Sequence, residues 1–265
     1  VYAWHPLPLW EFAGSGHVDA AIVAFLVVAL WSRRRFGGAA TGVALALGVL
    51  VKFYPAVLFP ALWRPWGWRR EWRMPAAFAA AVVLAYLPFL GVGWGVFGFL
   101  GGYMAEEGFT AGGAGFYPWS VAKAVLPLGA LPDIAYLATA GCVLAGLAVY
   151  LAARPAGADG EVAGREVYGA ALLAAAAVFL ISPHYPWYFV WLIVFACLVP
   201  AASLVWLTLA SFLLYLVPVG STLVRDRHRF LVESAIYVPF LALAAIDLWR
   251  RHHREQLTNG EQIAG

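Results

Sequence analysis

The stretch HVDAAIVAFLVVALWSRRR, from His17 to Arg35, decides the fold class. Twelve consecutive apolar residues, Ala20 to Trp31, separate two ionisable side chains at one end from three arginines at the other. As a helix over residues 18–32, this run covers about 22 Å at 1.5 Å rise per residue. Ionisable groups at a bilayer are costly, so His17 and Asp19 are functional candidates by default. The plain alternatives are a helix cap at Asp19 and an interfacial imidazole at His17. Gly14-Ser15-Gly16, just upstream, suits either a turn or close backbone approach.

The rest of the chain repeats this apolar character. Of its 265 residues, 63% are hydrophobic and 12% charged, with 13 tryptophans. A soluble domain carries about twice that charged fraction, and Trp and Tyr collect at membrane–water interfaces. The apolar runs are continuous and rich in Ala and Leu, which excludes the alternating pattern of a β-barrel. The expected fold is therefore all-α, a polytopic transmembrane bundle. Cys142 and Cys197 both sit inside apolar runs, with no CxxC spacing for a disulfide framework or a zinc site. The net charge of +3 forms no basic patch of the kind that binds nucleic acid.

Candidate membrane helices fall at about 18–32, 39–51, 55–63, 75–93, 133–153, 168–181, 187–199, 201–217 and 231–249. They make residues 1–249 a transmembrane domain and 250–265 a polar, mobile cytoplasmic tail. If each segment crosses once and Arg33, Arg34 and Arg35 lie inside, twelve of the 17 basic residues fall on that side, as the positive-inside rule expects. Lys52, Lys123, Arg225, Arg227 and Arg229 fall outside. Residues 94–132 read as an outer loop with an interfacial helix near 95–106, and 154–167 as a solvated inner loop. The segment 39–51 spans only about 20 Å of an about 30 Å hydrocarbon core. Such short or broken helices predict a recess that opens on the outer face.

Several polar groups gather on that face. Lys52 follows an apolar run directly and is placed as a point charge for phosphate, with snorkelling as the plain alternative. His184 sits in Ser182-Pro183-His184-Tyr185-Pro186, where two prolines restrict the backbone that aims the imidazole. Arg225 and Arg227 run against the positive-inside rule, which calls for an anionic partner, either lipid headgroups or a substrate phosphate. Glu11, Tyr54 and Tyr185 complete the set as substrate-binding candidates. Carboxylate, imidazole and cation together suit a site that binds an anionic, hydroxyl-rich substrate and moves its protons.

In their order these strings resemble the C-type (GT-C) integral-membrane glycosyltransferases, in particular the polyprenol-phosphate-mannose-dependent α-mannosyltransferases of bacterial envelopes. The resemblance rests on Trp4-His5-Pro6-Leu7 with Glu11, then Gly16-His17-Val18-Asp19-Ala20. It continues with Gly42-Val43-Ala44-Leu45 leading to Val51-Lys52-Phe53-Tyr54-Pro55, and ends with Ser182-Pro183-His184-Tyr185-Pro186-Trp187-Tyr188. It covers about the first 60 residues and one later turn.

The resemblance implies inverting transfer of a hexose, most readily mannose, from a polyprenyl-phosphate donor to an envelope glycolipid or glycan. It implies a multi-pass protein of the bacterial inner membrane with its site facing out, membrane lipids as its surroundings and no cofactor. Asp19, His17 and His184 take the catalytic positions; Lys52, Arg225 and Arg227 take the donor phosphate; Glu11, Tyr54 and Tyr185 take the sugars. In the family the base is commonly an Asp in the first outer loop, after a first membrane helix. This chain opens at Val1 without that helix, so the base is expected on a preceding segment. His5 stands where the family often has Asn. The competing expectation is a secondary transporter or flippase for a lipid-linked or anionic solute, which also uses broken helices and membrane-embedded charges.

Overall fold

The apolar run after Asp19 folds into helix α1 (Asp19–Arg35). The computed structural model describes residues 1–63, 71–106, 115–128, 131–153, 159–217 and 227–264, without the side chains of 103–106, 159–163 and 254–264. Among them the architecture is all-helical, with no strand. Counting α-helices of seven residues or more, α1 is followed by α2 (Gly38–Val51), α3 (Arg73–Tyr86), which runs on into a 3-10 helix Leu87–Phe97, α4 (Phe99–Glu106), α5 (Tyr117–Val125) and α6 (Asp133–Ala153). Then come α7 (Asp159–Ile181), α8 (Leu192–Leu198), α9 (Ala202–Ala210) and α10 (Arg227–Ala264).

Among the described residues, four stretches are long and apolar enough to cross a membrane: Arg73–Phe97, Asp133–Ala153, Gly164–Ile181 and Arg227–His253. They mark the chain as a membrane protein. The first of them has none of its apolar window buried, and Phe89, Leu90 and Trp94 stand exposed along it, as a lipid-facing helix requires. The remaining apolar helices are shorter. The segment expected at 55–63 is broken into a 3-10 helix Tyr54–Leu58 and a single turn Phe59–Leu62. Pro55 and Pro60 account for it, because neither can donate the hydrogen bond that an α-helix interior needs. The segments at 187–199 and 201–217 likewise divide into 3-10 and α pieces.

Elsewhere the helices outrun the apolar windows that announced them. α7 begins at Asp159, inside the stretch expected to be a loop, and α10 continues through the polar tail to Ala264. The first extension carries Glu161, Arg165 and Glu166 and the second several Arg, Glu and Gln, which favour helix without being apolar. The loop 94–132 contains the expected helix as α4 and a second one, α5, opened by Tyr117-Pro118.

α1 and α2 form an antiparallel hairpin about Phe36-Gly37, where Gly37 takes a left-handed φ of 84°. Gly38 and Gly42, one turn apart, then let α3 approach α2 closely. A Cβ at Gly42 would run into the Met74 carbonyl oxygen and lie 3.0 Å from the Phe78 nitrogen. One continuous core joins α1, α2, α7, α8, α9 and α10, with Trp191, Phe195 and Tyr237 among its largest buried side chains. Asp247 of α10 caps α9 by accepting the Ser203 N–H at 2.9 Å. At the arginine end of α1, Arg33 holds Glu71 through two hydrogen bonds of 3.0 and 3.1 Å and Glu166 through a third of 3.1 Å. That partly buried fork ties α1 to α7 and to the start of α3.

Candidate functional site

The α1–α2 hairpin has nearly equal arms, so the start of α1 and the end of α2 meet. Asp19 is fully buried there. Its Oδ2 accepts from Lys52 Nζ at 2.8 Å and its Oδ1 accepts from the Tyr54 hydroxyl at 2.6 Å. Lys52 leaves α2 with an extended backbone, which turns its side chain back toward α1. The ammonium lies 4.8 Å from the centre of the Tyr188 ring and keeps about a quarter of its side chain exposed (24%). Tyr54 packs on Trp191 and Tyr188. Asp19 therefore does more than cap a helix. It is the shared acceptor of a buried charge-assisted pair.

Beside it stands a second acid. Glu11 lies in a π-helical turn, Leu9–Gly14, a geometry that recurs at functional sites. It is completely buried. The Tyr215 hydroxyl donates to its Oε1 at 2.7 Å, and Trp10 Nε1 donates to that hydroxyl at 3.1 Å. The other oxygen, Oε2, has no hydrogen-bond partner among the described residues and faces His17 Nε2 at 3.4 Å. Burial raises the Glu11 pKa above the usual carboxylate range, and the nearby Asp19 charge pushes the same way against Tyr215 and His17. His17 keeps 27% of its side chain exposed. Its ring stacks on Trp187 at 4.4 Å, and Trp187 stacks in turn on Tyr185 at 4.3 Å and 7°. Gly16 supports the turn into His17 with a φ of 68°.

The two acids and their partners thus form one cluster: Glu11, His17, Asp19, Lys52 and Tyr54, with Tyr185 joined through the aromatic stack. Tyr215, Trp187 and Tyr188 also belong to it. Trp187 and Tyr188 lie in the proline-rich string already noted, whereas Tyr215 has no local signal at all.

Other candidates lie elsewhere. His184 shares the turn with Tyr185 but faces Arg229. Burial, with the Arg229 charge added, lowers its pKa to about 3, so the ring is neutral near pH 7. It makes no hydrogen bond or ion pair with the Asp19 cluster among the described residues. The turn before it is strained at Ser182, whose φ is 47°. Its Oγ offsets that strain by accepting from Tyr117 N at 3.2 Å and donating to Phe179 O at 2.8 Å. Arg227 opens α10 in an exposed position and makes no contact with the cluster among the described residues. Arg225 lies outside the described residues.

The cations that run against the positive-inside rule are largely neutralised within the protein. Lys52 pairs with Asp19, Lys123 with Asp133 at 3.0 Å, and Arg229 with Glu233 at 3.0 Å. An external anion is thus not needed to explain those three. His5 is a structural residue. Its Nδ1 accepts the Leu7 N–H at 3.2 Å, which leaves Nε2–H to donate to Thr208 Oγ1 at 3.1 Å.

Chemically, a buried acid against a partly exposed imidazole is an arrangement that orients a ring nitrogen. A lysine with one of its three N–H donors committed retains two for an anion. Among the described residues, no three His, Cys, Asp or Glu side chains gather as metal ligands. The chain matches no family model, no curated protein and no solved structure.

Proposed function

We propose that this chain is a membrane hexosyltransferase of GT-C type, moving a hexose (mannose by resemblance) from a polyprenyl-phosphate donor to an envelope glycolipid or glycan. Its site would face outward across a bacterial inner membrane. One observation carries the reading: the Glu11–His17 pair stands directly beside the Asp19–Lys52–Tyr54 cluster at one end of α1 and α2. Measured from Arg33 at the inner edge, Asp19 stands roughly 21 Å up an about 30 Å core. That depth supports a recess below the outer surface, reached by both a lipid-phosphate and a sugar hydroxyl.

In this reading the acceptor hydroxyl oxygen attacks the anomeric carbon and forms the new glycosidic bond. Its proton passes to the His17 nitrogen that does not face Glu11, and Glu11 stabilises the imidazolium. The anomeric C–O bond to the phosphate breaks, and its electron pair leaves with the polyprenyl phosphate. Lys52 meets that charge with its uncommitted N–H donors, while Asp19 and Tyr54 hold the ammonium in position. Tyr185 offers an aromatic face to a sugar ring. The base then lies on this chain rather than on a preceding segment. Against transport, the ionisable groups gather at one end of the helices instead of lining a continuous path.

The test is hexose transfer in proteoliposomes from labelled polyprenyl-phosphate hexoses, with the longest available form of the protein. His17→Gln should lower turnover about 100-fold or more, the usual share of a positioned acid–base group. Lys52→Ala and Asp19→Asn should also lose activity. Unchanged turnover in all three variants, or solute flux without any glycosidic product, would sink the assignment.

A further inference from the structure

An apolar groove of about 650 Å³ runs along α1, and none of Glu11, His17, Asp19, Lys52 and Tyr54 lines it. Val23, Val27 and Trp31 of α1 line one wall and Val194 and Leu198 of the α8 region the other; Arg34 closes one end. We infer that this groove holds one acyl chain of an anionic phospholipid from the leaflet on the arginine side, with the lipid phosphate on Arg34.

Length supports the assignment. From Ala20 to Arg34, both lining residues, α1 rises roughly 21 Å. With Arg33 at the inner edge of an about 30 Å core, one leaflet's acyl chains end at the midplane, about 15 Å in. The groove passes that depth and therefore accommodates one acyl chain of that leaflet in full. Charge supports it as well. Of the three consecutive arginines, Arg33 is committed to Glu71 and Glu166. Arg34 is exposed and has no carboxylate partner among the described residues. Arg35 is exposed too but does not line the groove. A single cation at the mouth of an apolar trough complements a phosphate joined to a hydrocarbon tail, and an excess of negative charge in the headgroup strengthens the fit. Trp31, 56% exposed just inside Arg34, adds an amphipathic ring at headgroup level. This inference is independent of the transferase proposal.

The experiment reconstitutes the full chain in phosphatidylcholine nanodiscs doped with either phosphatidylglycerol or phosphatidylcholine bearing a mid-chain diazirine. Photolysis and peptide mapping then locate the adducts. We expect phosphatidylglycerol to label the 20–34 and 194–198 stretches about fivefold more than phosphatidylcholine, one arginine's share of the attraction to an anionic headgroup. Arg34→Gln should abolish that preference and Arg35→Gln should retain it. Val27→Trp, which fills the groove, should lower labelling by both lipids. Equal labelling by the two lipids would overturn the inference. So would a preference that survives Arg34→Gln, one lost equally in Arg35→Gln, or labels spread evenly over Arg73–Phe97 and Asp133–Ala153.

Discussion

Removing either partner of the Asp19–Lys52 pair destabilises the protein unequally, and the inequality is set by burial. At 2.8 Å and an effective dielectric of about 20, the gross attraction is about 6 kcal/mol. Desolvation offsets most of it, leaving about 1.5–3 kcal/mol for a charge-assisted hydrogen bond. Lys52→Met leaves the Asp19 carboxylate, fully buried, with only the Tyr54 hydroxyl, so the expected loss is about 3 kcal/mol. Asp19→Asn strands Lys52 instead. That ammonium is a quarter exposed (24%) and reaches water, so the expected loss is about 2 kcal/mol. The double variant should lose only about 3 kcal/mol, which makes the coupling about 2 kcal/mol. Tyr54→Phe should cost about 1.5 kcal/mol through its own bond to Asp19. The assay is reversible unfolding in mixed micelles by sodium dodecyl sulfate titration, followed by tryptophan fluorescence. Two outcomes refute the reasoning: losses that add within about 0.5 kcal/mol, or a Lys52→Met variant more stable than Asp19→Asn.

Two further perturbations follow from the packing and from the turn. Gly42→Ala places a methyl against the Met74 carbonyl oxygen and 3.0 Å from the Phe78 nitrogen, so about 1–3 kcal/mol should be lost. Gly38→Ala meets mainly the Met74 side chain at 3.3 Å and should lower the thermal midpoint less; equal shifts for the two would contradict the close α2–α3 crossing. His184 is neutral in the fold, with a pKa near 3 against 6.5 when unfolded. Its contribution is therefore complete above pH 6.5 and declines as the pH falls toward 3. Between pH 7.5 and 5 the decline should be about 2 kcal/mol. His184→Gln should remove that decline relative to the parent, while the slopes owed to His5, whose pKa burial also lowers, and to Glu11, whose pKa burial raises, stay the same in both. A parent and a His184→Gln variant whose midpoints follow the same course over that range would rule this account out.

Helix content and membrane character were legible because they are local. Composition over a window of 18 or so residues reports whether a helix can lie in hydrocarbon, and Asp133–Ala153 matched the expected boundaries. Helix ends were less legible wherever the helix continued in polar residues, as in α7 and α10, since hydropathy sees the bilayer and not the backbone. The 3-10 pieces at Tyr54–Leu58 and Ser211–Leu216 lay within apolar windows that look the same whichever way the backbone coils.

Within the site, residue type and position relative to apolar runs were enough to single out Glu11, His17, Asp19, Lys52 and Tyr54. They were not enough to say which acid meets which base. The Asp19–Lys52 contact depends on the hairpin at Gly37, whose nearly equal arms bring the two helix ends together. The Glu11–Tyr215 contact joins residues 204 apart in sequence, and no periodicity encodes it. Arg227 looked as promising as Lys52, yet it lies away from the cluster, because an exposed helix start and a buried helix end can follow equally apolar segments. The sequence by itself determined an all-helical membrane chain and a short set of chemically able side chains. Only the tertiary structure decided which of them share one buried site, because the strength of a charge pair depends on distance and desolvation, and packing between helices sets both.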